Sequence, residues 1–424
     1  MALLFTHAAQ LLTLAGPDRA RRGAEMRELG VVRDGALLCA GGRILRAGPT
    51  DDVGRALPPG LGTIQEIDCR GQLVAPGLCD SHTHLVFAAP RLDDYERRLA
   101  GASYQELAAA GGGIRQSVAQ VRAAGEDELA RGAAARLRAA QGLGTTTLEI
   151  KSGYGLELEA ERKMLRAAAR AAAAAGGEVA RTFLGAHTLP AEFAGDRTGY
   201  VREVRERMLP ALHAGAAPEY GAEFADAFCD PAGFSAAECR AVLETARGLG
   251  MKLKLHAEQF AALGGIGLGI ELGAVSVDHC DAARPEDAAR LARAETVATL
   301  APGANFFLGQ PYPPARMLLD AGAAVALASD CNPGTCPILS LPLVMSLACS
   351  GMRMSAAEAW TAATINGAAA LGRAAVCGSL RSGKRADAAV FAADDYRAIP
   401  YFAGHNLCRG VAIAGEWRPN HGMD

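Results

Sequence analysis

The chain has no apolar run long enough to cross a membrane, no short-period repeat and no tract whose composition forces disorder. The absences argue against an integral membrane protein, a solenoid and a linker-like chain. Charge of one sign is not in excess either. The formal net charge is -3 and the pI about 6.3, which gives no reason to expect nucleic acid or an anionic membrane as partner. The opening stretch Met1 to Gly16 lacks a basic leader, and Thr6, His7 and Gln10 interrupt it, so it reads as a first strand rather than a signal peptide. The eleven cysteines show no paired spacing, and their number is odd. Several, such as Cys39, Cys69, Cys229 and Cys349, are read in apolar strands, where a reduced thiol acts as a small hydrophobe. A reducing, cytoplasmic setting is expected.

What is present is a globular composition. Of the 424 residues, 50% are hydrophobic and 21% charged, enough for an ample core. Alanine-rich windows such as Met164 to Ala175 favour helix. The basic cluster Arg19, Arg21 and Arg22 reads as a solvated loop, and His7, His213, His405 and His421 as surface or packing residues.

Residues 1–72 read as short strands and turns. Asp34 to Cys39 and Arg43 to Gly48 flank Gly41-Gly42, a hairpin signal, and Glu66 to Cys69 adds another strand. From Gly71 onward short apolar runs alternate with helical windows. Eight strands are predicted, at 73–80, 145–151, 179–186, 223–228, 252–256, 275–279, 296–301 and 323–329. Helices are predicted at 127–141, 156–175, 197–214, 236–249, 264–272, 285–294 and 315–321. Eight such units predict an α/β fold, a (β/α)8 TIM-type barrel over 73–372. The long loop Phe87 to Gly113 reads as a binding loop or lid. After Leu371 short strands return, at Gly378-Ser379-Leu380, Gly383 to Phe391 and Gly410 to Gly415. The simplest arrangement pairs residues 373–424 with residues 1–72 in a small β-sandwich-like domain.

The C-terminal strand ends of such a barrel build the active site. There the sequence places His82 and His84, Glu149 and Lys151, His187, Asp226 and Asp230, His256 with Glu258 and Gln259, His279, and Asp330. Five of the nine histidines fall at predicted strand ends. Imidazoles and a carboxylate converging on one mouth are what a borderline divalent metal needs. Taken singly, His187 and His279 could each be a hydrogen-bonded core residue.

The paired histidines of the first strand, the fifth- and sixth-strand histidines and the eighth-strand aspartate resemble the amidohydrolase superfamily. So does the ending Ala363-Thr364-Ile365-Asn366-Gly367 with Gly378-Ser379-Leu380 and Gly383-Lys384-Arg385-Ala386-Asp387. Other runs resemble the imidazolonepropionase family of cyclic amidases in histidine degradation. These are Leu99 to Tyr104 through Ala110 to Ile114, Lys151 to Leu156, Leu184 to His187, Ala225 to Cys229 and Asp330 to Thr335.

The resemblance implies one divalent ion, zinc or iron, with His82, His84, His256 and Asp330 as ligands. It implies hydrolysis of the ring amide of 4-imidazolone-5-propanoate to N-formimidoyl-L-glutamate by a metal-activated water. Asp330 would move the proton and His279 would polarise the carbonyl. Arg91 would take the substrate's side-chain carboxylate. Tyr154, His187 and Gln259 would be further contacts, and Asn332, Gly334 and Thr335 would hold the product's polar end. Lys151 could bridge two ions if carbamylated, but a one-metal site leaves it to order the Ser152 to Gly155 loop or a neighbouring charge. A homodimer is expected from the habit of the superfamily.

Gln259 departs from relatives with glutamate there. Glutamine does not titrate, so it can hydrogen-bond substrate but not act as a base. Glu258 points elsewhere if the local backbone is extended. The alternative function is a deaminase-type aminohydrolase of a heterocycle such as cytosine or guanine; Gln259 in place of an acid argues against it. A non-catalytic scaffold is a third reading, and the intact ligand set argues against that.

Overall fold

The computed structural model describes residues 2–101 and 112–420. Part of the glycine-rich run between Leu99 and Ile114, and His421, therefore lie outside the described residues.

Both chain ends meet in one mixed sheet. Its strands are β1 (Ala2–Leu12), β2 (Val31–Ala40), β3 (Arg43–Pro49), β4 (Ile64–Asp68), β5 (Leu73–Pro76), β14 (Ala388–Phe391), β15 (Cys408–Ile413) and β16 (Glu416–Pro419). The order is β16-β15-β14-β5-β1-β2-β3, with β4 also on β1. β1 is bulged between Phe5 and Ala8, and His7 there has φ 56°. The bulge lets one strand pair with β4 along its first half and with β5 along its second. Gly41 and Gly42, at φ 58° and 75°, make the predicted β2–β3 hairpin turn. Phe5 is fully buried with its ring edge-on to Trp417, 5.4 Å between centroids, so an N-terminal and a C-terminal strand share one core.

The second sheet is the barrel. Its strands are β6 (Leu78–Asp80), β7 (Thr145–Lys151), β8 (Glu178–Ala186), β9 (Phe224–Cys229), β10 (Lys252–Ala257), β11 (Ser276–His279), β12 (Val297–Leu300) and β13 (Val325–Leu327). They run in sequence order and every ladder is parallel. β7, β9 and β11 are buried on both faces; β9 is largely apolar, whereas β7 (TTTLEIK) and β11 (SVDH) bury mostly polar side chains. Helices cover the outside, among them 126–141, 158–175, 236–248 and 265–272. Ser235 and Glu238 form a reciprocal capping box, and Gly176 ends its helix in the left-handed conformation. No ladder joins β13 to β6. Asp330 N–H donates to His82 C=O at 3.0 Å, His84 N–H donates to Cys331 C=O at 2.9 Å, and Thr83 and Cys331 form an isolated parallel bridge. The seam is closed by the residues just past the strand ends.

Several sequence expectations need correction. Residues 73–80, read as one barrel strand, split at Pro76-Gly77. Leu73–Pro76 pairs with β1 and β14 in the terminal sheet, and only Leu78–Asp80 enters the barrel. Gly77 fits there because a β-carbon would lie 2.1 Å from Thr146 Oγ1. Gly378-Ser379-Leu380 is a turn against the helix 365–370, and of 383–391 only β14 is strand. The helix predicted at 197–214 runs continuously from 197 to 212, with a wide π turn at 204–208. Cys349 lies in the helix 341–352, which the sequence reading omits along with 302–308, 356–363 and 365–370.

Arg21 and Arg22 are not a solvated loop. Arg21 is buried, with its guanidinium on Leu14 C=O at 3.0 Å and its N–H on Asn366 Oδ1 at 2.7 Å; Arg22 donates to Ala292 C=O at 3.0 Å. Nearby, buried Glu358 joins Arg27 of the N-terminal segment and Arg316 of the barrel, each at 3.0 Å. Burial opposes ionisation of Glu358, but hydrogen bonds from Arg316, Ser355 N–H and Arg27 outweigh it and hold its pKa near 2.

Candidate metal centre and active site

His82 and His84 follow β6 two residues apart and both turn into the barrel mouth. Their Nε2 atoms are 3.3 Å apart. Asp330 Oδ1, arriving after β13, is 3.5 Å from the first and 3.6 Å from the second. His256, at the end of β10, brings its ring 4.4 Å from that of His82. Donor atoms of His82, His84 and His256 lie within 4.8 Å of one another, as do those of His82, His279 and Asp330. All five side chains are buried. Four ligands at bond lengths near 2.1 Å around a tetrahedral ion are about 3.4 Å apart, so the spacing of His82, His84 and Asp330 fits one ion.

The electrostatics agree with that fit. Burial, then Lys151 or a neighbouring imidazole, holds His82, His84 and His256 well below the usual histidine pKa, in the neutral form that ligates. Burial pushes the Asp330 carboxyl well above the usual range, so the site favours a carboxylate only beside a cation. Asp330, His279 and Glu258 all have positive φ, at 52°, 78° and 53°. Strain of this kind at three strand ends of one mouth is characteristic of functional sites.

Beneath the histidines lies a charged layer in which Glu149, Lys151, Asp226, Lys254 and Asp278 are all 0% exposed. Lys151 Nζ is 2.7 Å from Asp226 Oδ2, 2.9 Å from Glu149 Oε2 and 3.3 Å from Asp278 Oδ2. Burial disfavours its charge, but these three carboxylates outweigh burial and raise its pKa above the usual lysine range. Lys151 therefore orders neighbouring charges. The Ser152 to Gly155 loop is ordered instead by Glu161, which accepts from Gly155 and Leu156 N–H at 2.8 Å and from Gly153 N–H at 3.0 Å.

Above the ligands is a cavity of about 960 Å³. Arg91, Tyr154, His187, Gln259, Asn332, Gly334 and Thr335 all line it, with His84, His256, His279 and Asp330 at its floor. Arg91 is buried, and its Nε has no hydrogen-bond partner among the described residues. Its N–H is fixed on Pro333 C=O at 3.0 Å. His187 stacks on His84 with 5.4 Å between ring centroids, and its Nδ1 meets Gly153 C=O at 3.0 Å. An N–H at Nδ1 leaves Nε2 as an acceptor. The Asn332 side chain is engaged within its own loop: Oδ1 accepts from Gly334 and Thr335 N–H at 2.9 and 2.7 Å, and Nδ2 donates to Asp330 C=O at 2.8 Å. Glu258 turns away from the cavity, though on a left-handed backbone at φ 53° and not the extended one on which the expectation rested, and caps the helix 265–272 through Gly265 and Ile266 N–H, both at 2.7 Å.

Sequence reasoning gave no role to Lys254, Asp278 or Glu161. The signal was there: Glu149 and Lys151, Lys254 and His256, and Ser276 and Asp278 alternate along apolar strands. Charged residues in such strands need partners across the barrel. Glu161 sits in the first turn of its helix and is buried, where an acid serves loop N–H groups.

A parallel eight-stranded barrel with buried imidazoles and a carboxylate at its C-terminal mouth defines a metal-dependent hydrolase. The chain belongs to the amidohydrolase family, whose sequence profile matches residues 73–418. It is 46% identical over 408 residues to a Chloroflexus aggregans protein named imidazolonepropionase, covering 95% of each chain. A protein of the same name from Symbiobacterium thermophilum is 44% identical, over 98% of this chain and 96% of that one. Among solved structures, a triazine hydrolase from Arthrobacter aurescens superposes with a TM-score of 0.76 at 19% identity, covering 100% of this chain and 96% of that one. A Xanthomonas campestris adenosine deaminase with bound zinc gives 0.71 at 19% identity, covering 100% and 94%. At these identities the two structures support the fold alone.

Proposed function

We propose that the chain hydrolyses the ring amide of 4-imidazolone-5-propanoate to N-formimidoyl-L-glutamate, the reaction named by its curated relatives. A single divalent ion, zinc or iron, held by His82, His84, His256 and Asp330 would lower the pKa of a water from near 16 to about 7 and supply hydroxide at neutral pH. Asp330 accepts the proton released as water adds to the ring carbonyl carbon. The ring C–N bond then breaks, and Asp330 returns the proton to the departing nitrogen. His279 donates to the carbonyl oxygen as negative charge develops there. Arg91 binds the side-chain carboxylate by paired hydrogen bonds, and Tyr154, His187 and Gln259 align the ring. Thr335 and the backbone at Gly334, in the loop braced by Asn332, hold the product's polar end.

The observation that carries this reading is one cavity with His84, His256 and Asp330 at its floor and a buried guanidinium, Arg91, on its wall. The test is to add freshly made imidazolone propanoate to the metal-loaded protein and follow loss of ring absorbance. Loss of absorbance with a one-to-one metal content supports it. No loss, with ammonia released from an aminated heterocycle instead, overturns it in favour of a deaminase. The eleven cysteines are all free, which supports a reducing, cytoplasmic location. Among the described residues no helix is long and apolar enough to cross a membrane. A homodimer completes the proposal, to be checked by sedimentation.

A further inference from the structure

The two imidazoles that bracket the ligand cluster differ from the third in what lies behind them. His82 Nδ1 is 2.6 Å from Asp278 Oδ2, in a hydrogen bond. His256 Nδ1 is 2.8 Å from Asp226 Oδ2, an ion-pair approach without hydrogen-bond alignment. His84 Nδ1 has no hydrogen-bond partner among the described residues. Asp278 is held on every side. Ser276 Oγ donates to its Oδ1 at 2.6 Å, and Lys151 and Lys254 lie 3.3 and 3.6 Å from its Oδ2. Lys254 also donates to Ser81 C=O at 2.6 Å and pairs with Glu149 at 3.1 Å. Residue 82 is thus fixed twice, through the carbonyl that precedes it and through its ring.

An imidazole is a ligand through one nitrogen only when the other carries the proton. An acceptor at Nδ1 fixes the proton there and leaves the Nε2 lone pair facing the cluster. Two ammonium groups against three carboxylates leave this layer one negative charge in excess, directly behind the cation's place. We propose that Asp278 is a positioning residue for the hydrolysis. It fixes His82 as the Nδ1-protonated tautomer and, braced by Lys254 on the Ser81 carbonyl, sets how tightly the divalent ion is held. This rests on the reading of His82 as a ligand.

The test is zinc affinity by chelator competition on the full chain. Asp278→Ala removes the acceptor and is expected to weaken zinc binding about 10- to 100-fold. Asp278→Asn, which keeps an oxygen able to accept from Nδ1, is expected to fall between that variant and the parent. Ser276→Ala touches the same carboxylate on its other oxygen and is expected to change affinity less than about threefold. A purely structural role would lower the melting temperature of all three variants and leave zinc affinity unchanged; that result overturns the proposal. Nitrogen-15 spectra of the zinc-loaded parent give a second arm that no variant's folding can spoil. They are expected to show His82 protonated at Nδ1, and a proton at Nε2 overturns the proposal. If the parent holds no zinc through His82, the metal-site reading itself fails. Tight parental binding with an unaffected Asp278→Ala defeats only the inference about Asp278.

Discussion

Gly334 lies so close to Arg91 that a β-carbon at position 334 would fall 1.4 Å from Arg91 Nη2. The loop after β13 thus forms the surface on which the guanidinium rests. A methyl group there has to displace the far end of a flexible side chain, at little cost to the fold. Gly334→Ala is therefore expected to raise KM at least tenfold while the bound metal and the melting temperature stay near the parent values. Steady-state kinetics with metal analysis checks this; an unchanged KM would mean that Arg91 is not the substrate's cation.

Arg91→Ala removes that cation outright. A charge-assisted contact is worth about 1.5–3 kcal/mol, so binding should weaken roughly tenfold to more than a hundredfold. Metal content should not change, since Arg91 touches none of the ligand atoms named above. A variant that loses its metal would show that Arg91 supports the centre instead of the substrate.

Glu161→Ala leaves the N–H groups of Gly153, Gly155 and Leu156 without their shared acceptor. Buried unsatisfied donors cost about 1–3 kcal/mol each, less whatever water recovers, so a loss of at least about 3 kcal/mol is expected in urea unfolding. The loop carries Tyr154 and braces His187, so kcat/KM should fall too. Loss of stability with full activity would show that this loop does not orient the substrate contacts.

Glu358 gives a pH prediction away from the centre. Its folded pKa, about 2, lies below the ordinary carboxylate value of 4.5, so its contribution is complete above pH 4.5 and is lost as pH falls toward 2. The full shift corresponds to about 3 kcal/mol. Glu358→Gln should lower stability at pH 7 by an amount of that order and flatten the decline between pH 4.5 and 2. Equal slopes for parent and variant in acid unfolding would contradict this.

The strand ends were legible because a buried parallel strand leaves a sharp trace: a short apolar run stopping at a polar residue. β7 matches its predicted bounds, and each predicted ligand lies at or just past the strand it was placed on. What was not legible is which sheet an apolar run joins. Leu73–Pro76 and Leu78–Asp80 are both fully buried and nearly continuous, and the Pro76-Gly77 break, packed on Thr146, sends them to different sheets. The sequence reading finds the helix at 315–320 but not those at 341–352 and 356–363, which are nearly all apolar and lack the polar face that marks a surface helix. Arg21 looked solvated because its partners, Leu14 and Asn366, are set by the tertiary fold, with Asn366 345 residues away in the chain.

The unladdered seam between β13 and β6 has a kinetic consequence. Ser329 N–H meets Asp80 Oδ1 across 249 residues of chain, at the point where the barrel has no strand ladder to hold it shut. Bringing ends that far apart together costs on the order of 5 kcal/mol in chain entropy. Closure should be a late event in folding, and opening there an early event in unfolding. If His82 and His84 on one lip and Asp330 on the other hold the proposed ion, it would act as a clasp on that slit. Hydrogen exchange of the Asp330 and His84 amides should slow on metal loading far more than exchange within the β7–β8 ladder.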